Sequence, residues 1–236
     1  MLVCMNDDSD AIGEREVITR EGLADGSMLA RVRARLLPGM VVRSDAEIEA
    51  SLDAMLAAHD PAADVWVFGY GSLMWNPAFT YAERQVGVVR GYHRRFCLWL
   101  EMGRGSPDNP GLMLALDNGG VCRGVAFRIP AAQVRGELLI IWRREMFGTA
   151  YLARWVRVRM VGATVPAITF VVNRAGPRYA GKVTDAEAAR HIATATGSLG
   201  SCVSYLDNTM EHLRSLGIRD AGLERIADGI PPRSTV

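Results

Sequence analysis

Lysine is almost missing from this chain of 236 residues: Lys182 stands alone, and arginine supplies the remaining basic side chains. That bias carries no information about a site. An excess of either sign of charge is missing too. The 27 basic and 26 acidic residues leave a formal net charge of +1, which argues against nucleic acid or a membrane surface as partner, since both call for a clustered positive field. Cysteine is sparse. Cys4, Cys97, Cys122 and Cys202 are scattered without a CxxC pair, so a zinc site, a redox dithiol and a disulfide framework are not expected, and buried free thiols are. The four histidines form no HxxxH or HExxH pair, which speaks against a bound metal. Long apolar runs are absent as well: Leu138 to Trp142 is the longest aliphatic stretch, far short of a membrane span. The start, Met1 to Asp10, is acidic and has no basic n-region of a secretory signal. What remains is an ordinary globular composition, 49% hydrophobic and 22% charged, read as a cytoplasmic protein in a reducing compartment.

The local signals divide the chain near residue 60. Ile18 to Leu37 reads as interrupted helix, with Thr19 and Ser27 as candidate N-caps and Pro38-Gly39 as a stop. Ser44-Asp45-Ala46-Glu47 is a capping box, in which the serine hydroxyl and the glutamate carboxylate satisfy orphan backbone N–H groups. Ile48, Leu52, Met55 and Leu56 follow at helical spacing. Residues 1–60 are therefore expected to form a helical arm, with Asp60 to Asp64 as a linker and a second unit over residues 64–236. Val65 to Tyr70, Gln85 to Tyr92, Arg94 to Glu101 and Leu112 to Asp117 read as strands. Asn118-Gly119-Gly120 predicts a hairpin turn into a returning strand, Val121 to Ile129, because Asn and Gly tolerate positive φ. A helix from Ala131 to about Phe147 follows, then strands at Arg154 to Val161 and Ala167 to Val172. Thr184 to Glu187 is a second capping box, Ser201 caps a further helix that stops at Gly217, and one short helical segment lies in the tail. Strands, one helix, strands, then helices lack the alternation of a doubly wound sheet. The fold class expected is α+β with a curled or barrel-like sheet.

Two features carry chemistry. Gly69-Tyr70-Gly71-Ser72-Leu73 directly follows a strand, and its glycines permit close backbone approach and the positive φ that turns N–H groups toward an anion. The dinucleotide fingerprint fails at Met74, no GK[ST] follows, and Leu73-Met74 breaks the nucleophile elbow at Ser72. A tight turn between strands accounts for the loop equally well. The second feature is Glu145, which lies four residues after Ile141 and three after Trp142, on or at the edge of the apolar helix face. Burial raises a carboxyl's pKa and makes it a candidate general base. An ion pair with Arg143, Arg144 or Arg154 accounts for the same position.

In order along about residues 64–220, these motifs resemble the ChaC family of glutathione-specific γ-glutamylcyclotransferases. The resemblance runs through Val65-Trp66-Val67-Phe68-Gly69-Tyr70-Gly71-Ser72-Leu73-Met74-Trp75, Arg94-Arg95-Phe96, Arg104-Gly105-Ser106-Pro107, Pro110-Gly111, Gly124 to Arg128 and Trp142-Arg143-Arg144-Glu145. It ends at Gly200, Tyr205 and Leu206. Met74 stands where an isoleucine is frequent. The resemblance implies a γ-glutamylcyclotransferase-like mixed β-barrel with flanking helices and an N-terminal helical arm. It implies cleavage of glutathione to 5-oxoproline and cysteinylglycine without metal or organic cofactor. It places Glu145 at the catalytic carboxylate and the γ-glutamyl group on Val67, Phe68, Gly69, Tyr70, Gly71, Ser72 and Leu73, with Arg104 and Tyr205 as further binding candidates. A cyclotransferase for other γ-glutamyl amines and a non-catalytic γ-glutamyl-binding module are the competing readings. A serine hydrolase through Ser72 is the weakest, since no histidine has an evident claim on it.

Overall fold

A computed structural model describes residues 17–231; the acidic start with Cys4, and the last five residues, lie outside the described residues. The arm folds as α1 (Arg20–Ala24), α2 (Ser27–Arg33) and α3 (Asp45–Leu56). Thr19 caps α1 by accepting the Gly22 N–H. Ser27, expected as a cap, is instead the first residue of α2, and Gly26 at φ 76° takes the cap position. The backbone there is left-handed, which glycine adopts without steric cost. Ser44 and Glu47 form the expected capping box on α3.

Five strands close into a barrel in the order β1-β3-β2-β4-β5: β1 (Val65–Gly69), β2 (Glu83–Leu100), β3 (Gly111–Ile129), β4 (Tyr151–Met160) and β5 (Ala163–Val172). All pairings are antiparallel except those of β1 with β5 and of β3 with β5, which are parallel. The four strands expected between residues 85 and 129 are two. Asn118-Gly119-Gly120 does not reverse the chain; β3 runs through it while staying paired with β2, and the register shifts between Arg90 and Tyr92. Gly91, Gly119 and Gly120 all have positive φ at that point. Their freedom bends a long two-stranded ribbon around the barrel, as a β-bulge does. The true reversal between these strands lies in residues 101–110.

The inner face of the barrel is filled by strand side chains such as Phe68, Val89, Leu116, Ala126, Val158 and Val171. Part of the outer face, including Val67, Leu114, Phe127, Ile168 and Phe170, shares a larger core with the helices. The central helix of that layer is α4 (Val134–Glu145), which follows a single 3-10 turn at Ala131–Gln133. Its apolar stripe, Val134, Leu138, Ile141 and Trp142, is buried as the period predicted. After the barrel come α5 (Asp185–Thr194), capped by Thr184 and Glu187, and a short β6–β7 pair (Thr196–Gly197 with Gly200–Ser201). The chain then forms α6 (Cys202–Ser215), capped by Ser201, and α7 (Ala221–Asp228). Cys97, Cys122 and Cys202 are buried free thiols.

The arm grips α4. Leu23, Leu29, Ile48 and Leu52 belong to the same core as Leu138, Ile141 and Trp142. The Trp142 indole N–H donates to Ser51 Oγ at 3.0 Å. The Arg20 guanidinium binds both carboxylate oxygens of Glu137, whose Oε2 also accepts the Thr80 N–H at 2.7 Å. Arg143 donates to the Leu23 and Ala24 carbonyls, and Arg43 to those of Met146 and Gly148.

Candidate active site

A small cavity, open in part to solvent, is lined by Tyr70, Gly71, Ser72, Leu73, Leu114, Glu145, Tyr151, Phe170 and Tyr205. The loop after β1 forms one wall. It turns through a single 3-10 turn, Ser72–Met74, in which the Met74 N–H donates to the Gly71 carbonyl at 2.9 Å and the Asn76 N–H to that of Ser72 at 2.8 Å. Neither Gly69 nor Gly71 has positive φ; at Gly71 it is −134°. The expected backbone reason for these glycines is therefore replaced by one of space. A Cβ on Gly71 would stand 2.8 Å from the Tyr205 hydroxyl, and one on Gly69 would stand 3.0 Å from the Leu73 side chain. Close approach of Tyr205 to the loop requires a residue with no side chain at Gly71.

Glu145 is the last residue of α4, where unpaired carbonyls disfavour a negative charge. Its side chain is only 13% exposed. Burial pushes its carboxyl above the usual range, and Arg144, with Nε 3.1 Å from Oε1, opposes that shift without cancelling it. The two readings of this position thus coexist: the carboxylate is paired with an arginine and still holds a proton more tightly than normal. Arg144 reaches further, donating to Ser72 Oγ at 2.7 Å and to the Asn76 carbonyl.

Three phenols complete the walls. Tyr70 donates to the Phe170 carbonyl at 2.8 Å and Tyr151 to the Leu114 carbonyl at 3.0 Å. Burial, with the Glu145 charge among the lesser causes, holds both well above the ordinary tyrosine range. Tyr205 is pushed up to about 12 by burial first and by Glu145 second, although the Ser72 N–H donates to it. All three stay protonated at neutral pH. Behind the loop, the buried Arg94 holds the Tyr70 carbonyl through Nε, the Arg123 carbonyl at 2.6 Å and Asp220 Oδ2 at 2.6 Å.

Of the residues expected at the site, Tyr70, Gly71, Ser72, Leu73, Glu145 and Tyr205 meet in this cavity. Val67 and Phe68 are fully buried on opposite faces of β1, and Gly69 lies at its end beneath the loop. They support the wall from behind. Arg104 stands over the outer side of Tyr205, its guanidinium carbon 5.2 Å from the ring centroid, while Nη1 donates to the Ser201 carbonyl at 2.7 Å. Close backbone crossings hold it there: a Cβ on Gly105 would fall 2.1 Å from the Gly111 nitrogen. Leu114, Tyr151 and Phe170 were not foreseen. They arrive from three strands, and no local pattern marks them. Ser72 Oγ faces a guanidinium and none of the four histidines lines the cavity, so the serine has no base and hydrolase chemistry has no support. The arrangement can take a proton at Glu145 and hold a polar group against the loop.

Known proteins share this architecture. A glutathione-specific γ-glutamyl cyclotransferase from yeast superposes with a TM-score of 0.63 at 21% identity, covering 71% of this chain and 97% of that one. The fold is thus α+β and γ-glutamylcyclotransferase-like. In sequence, the chain is 43% identical over 175 residues to the glutathione-specific γ-glutamylcyclotransferase of Escherichia coli, covering 74% of this chain and 76% of that protein. It is 33% identical over 178 residues to glutathione-specific γ-glutamylcyclotransferase 1 of Homo sapiens, covering 72% and 80%. Residues 65–231 match the family model of ChaC-like proteins, and the chain belongs to that family.

Proposed function

We propose that the protein is a glutathione-specific γ-glutamylcyclotransferase, cytoplasmic and independent of any cofactor, with residues 64–236 as its catalytic unit and residues 1–60 as an extension. The observation that carries the reading is a buried carboxylate of raised pKa, Glu145, in one cavity with the Tyr70–Leu73 loop. The names and the similarity of the relatives support the choice of substrate.

Glutathione enters with its γ-glutamyl end in the slot formed by the loop and Tyr205, with Val67, Phe68 and Gly69 supporting the wall and Arg104 backing Tyr205. Its α-amine is an ammonium ion near neutral pH and cannot attack until it loses a proton. Glu145 accepts that proton, a task suited to a carboxyl tuned upward by burial. The freed nitrogen attacks the γ-carbonyl carbon of the same molecule. Holding the chain curled supplies the entropy term, about 7–11 kcal/mol in favourable intramolecular cases. Loop N–H groups stabilise the oxyanion; losing one such donor typically costs about 2.7–4 kcal/mol. The tetrahedral intermediate then collapses. Glu145 gives its proton to the cysteine nitrogen, the bond to that nitrogen breaks as the oxyanion reforms the carbonyl, and the second proton of the attacking nitrogen passes through Glu145 to the departing amine, which leaves as an ammonium ion. The products are 5-oxoproline and cysteinylglycine.

The test is a 5-oxoproline assay on glutathione with wild type and Glu145→Gln. Wild type is expected to turn over and the folded variant to lose essentially all activity; activity retained in the variant overturns the mechanism. Weak competition by γ-glutamyl-alanine confirms the preference for glutathione, and equal turnover of both moves the substrate to γ-glutamyl compounds in general. Tight glutathione binding by wild type without turnover points to a binding module.

A further inference from the structure

Arg144 has no role in the chemistry above beyond standing next to Glu145, yet its side chain is only 6% exposed. A buried guanidinium is costly unless its donors are met. Here they are met by three groups of different origin. Nη2 donates to Ser72 Oγ in the loop at 2.7 Å, Nη1 to the Asn76 carbonyl just past that loop, and Nε lies 3.1 Å from the Glu145 carboxylate. The planar fork of an arginine holds such partners at fixed angles, which the flexible point charge of lysine does not. Among the described residues, Arg144 is the side chain that bonds the loop and faces the Glu145 carboxylate at once. The contact that joins them at the cavity is one side chain.

From this geometry, and resting on the cyclotransferase reading, we infer that Arg144 is a positioning residue that locks the Ser72 loop and the Glu145 carboxylate into one register. The proton acceptor and the loop N–H groups then address the same γ-glutamyl group. The amine must reach Glu145 while the carbonyl oxygen faces the loop. A shift of about 1 Å between such partners can cost roughly 100-fold in rate. The same contact also sets the charge at Glu145. The groups facing that carboxylate from the other elements are the phenols of Tyr70, Tyr151 and Tyr205, all neutral at working pH. Arg144 is the cation that acts on it.

The experiment measures kcat, KM and their pH profiles for 5-oxoproline release in wild type, Arg144→Met, Arg144→Lys and Ser72→Ala. Turnover by wild type and its loss in Glu145→Gln establish the underlying reading separately. For Arg144→Met, kcat is expected to fall about 100-fold and the acid limb of the profile to move to higher pH, because Glu145 loses the cation that favours its ionised form. For Arg144→Lys, the acid limb is expected to stay near the wild-type position while kcat remains low, since charge is kept and the fork is lost. A purely structural role moves neither limb. Wild-type kcat and an unmoved acid limb in folded Arg144→Met overturn the inference. Should both Arg144 variants fail to fold, Ser72→Ala decides, because it removes one anchor and leaves the guanidinium in place. Reduced kcat with little change in KM supports the register role, and an unchanged kcat overturns it.

Discussion

Glu145 combines two penalties on its own ionisation: burial and the carbonyl end of α4. The lone offset is Arg144, and the carboxyl's pKa remains raised. This has a consequence for stability as well as for catalysis. A carboxyl whose pKa is higher in the folded state than in the unfolded one stabilises the fold at low pH. That contribution is complete below the ordinary value of 4.5 and is lost as the pH rises through the folded value. At pH 7, above the ordinary carboxyl value, Glu145 is therefore a burden on the fold. Glu145→Gln is expected to raise the melting temperature at pH 7 while abolishing turnover, and the difference in melting temperature should shrink as the pH approaches 4. Thermal melts of both proteins across that range check it; a variant less stable than wild type at pH 7 contradicts it. Gly71 shows the same dependence on neighbours. Its lack of a side chain was legible, but the reason, the Tyr205 hydroxyl 2.8 Å from a would-be Cβ, comes from a helix far along the chain.

At the scale of elements, α4 is the piece that aims Glu145, and its aim depends on what packs against it. Burial alone would raise Glu137 on this helix, but the paired bonds from Arg20 and the Thr80 N–H outweigh it and hold the carboxylate below its usual range. Trp142, fully buried, meets its one polar need at Ser51 of α3. Ser51→Ala leaves that N–H without its partner, so a loss of about 1–3 kcal/mol is expected, measurable as a lower urea midpoint with an unchanged slope. A midpoint equal to wild type would show that the bond contributes nothing net. The helices themselves were readable, because capping boxes at Ser44 and Thr184 and an apolar period are satisfied within a few residues. The β2–β3 ribbon was not. Asn118-Gly119-Gly120 has the composition of a hairpin turn, and whether such glycines reverse a strand or bend it depends on the partner strand, which here stays paired on both sides of the bend.

For the whole molecule, the arm is part of the same core as the barrel. Burying one leucine or isoleucine side chain is worth about 1.5–3 kcal/mol, and Leu23, Leu29, Ile48 and Leu52 all lie in that shared core. Their combined contribution is comparable to the entire net stability of a typical domain, about 5–15 kcal/mol. Removal of residues 1–60 is therefore expected to leave a chain that is largely insoluble or lacks fixed near-ultraviolet ellipticity. A soluble truncated protein that melts with the full-length chain would show that the arm is dispensable for folding. Among the described residues no helix is long and apolar enough to cross a membrane, in keeping with the short apolar runs of the sequence.

The sequence by itself determined where the capped helices α1, α3, α5 and α6 begin, which stretches are extended, and which two features are candidates for chemistry, the Gly69–Leu73 loop and Glu145. Each of these rests on contacts between near neighbours: a serine with the N–H three residues on, an alternation of two, a period of 3.6. The tertiary structure decided what those features face. Tyr151, Phe170 and Leu114 become cavity walls only when strands distant in sequence close into a barrel. Arg144 becomes a link between loop and carboxylate only when the end of α4 meets the loop after β1. Desolvation and ion pairing are properties of a place assembled from the whole chain, so the helical period could put Glu145 on or at the edge of a buried face, while folding decided that burial outweighs Arg144 there.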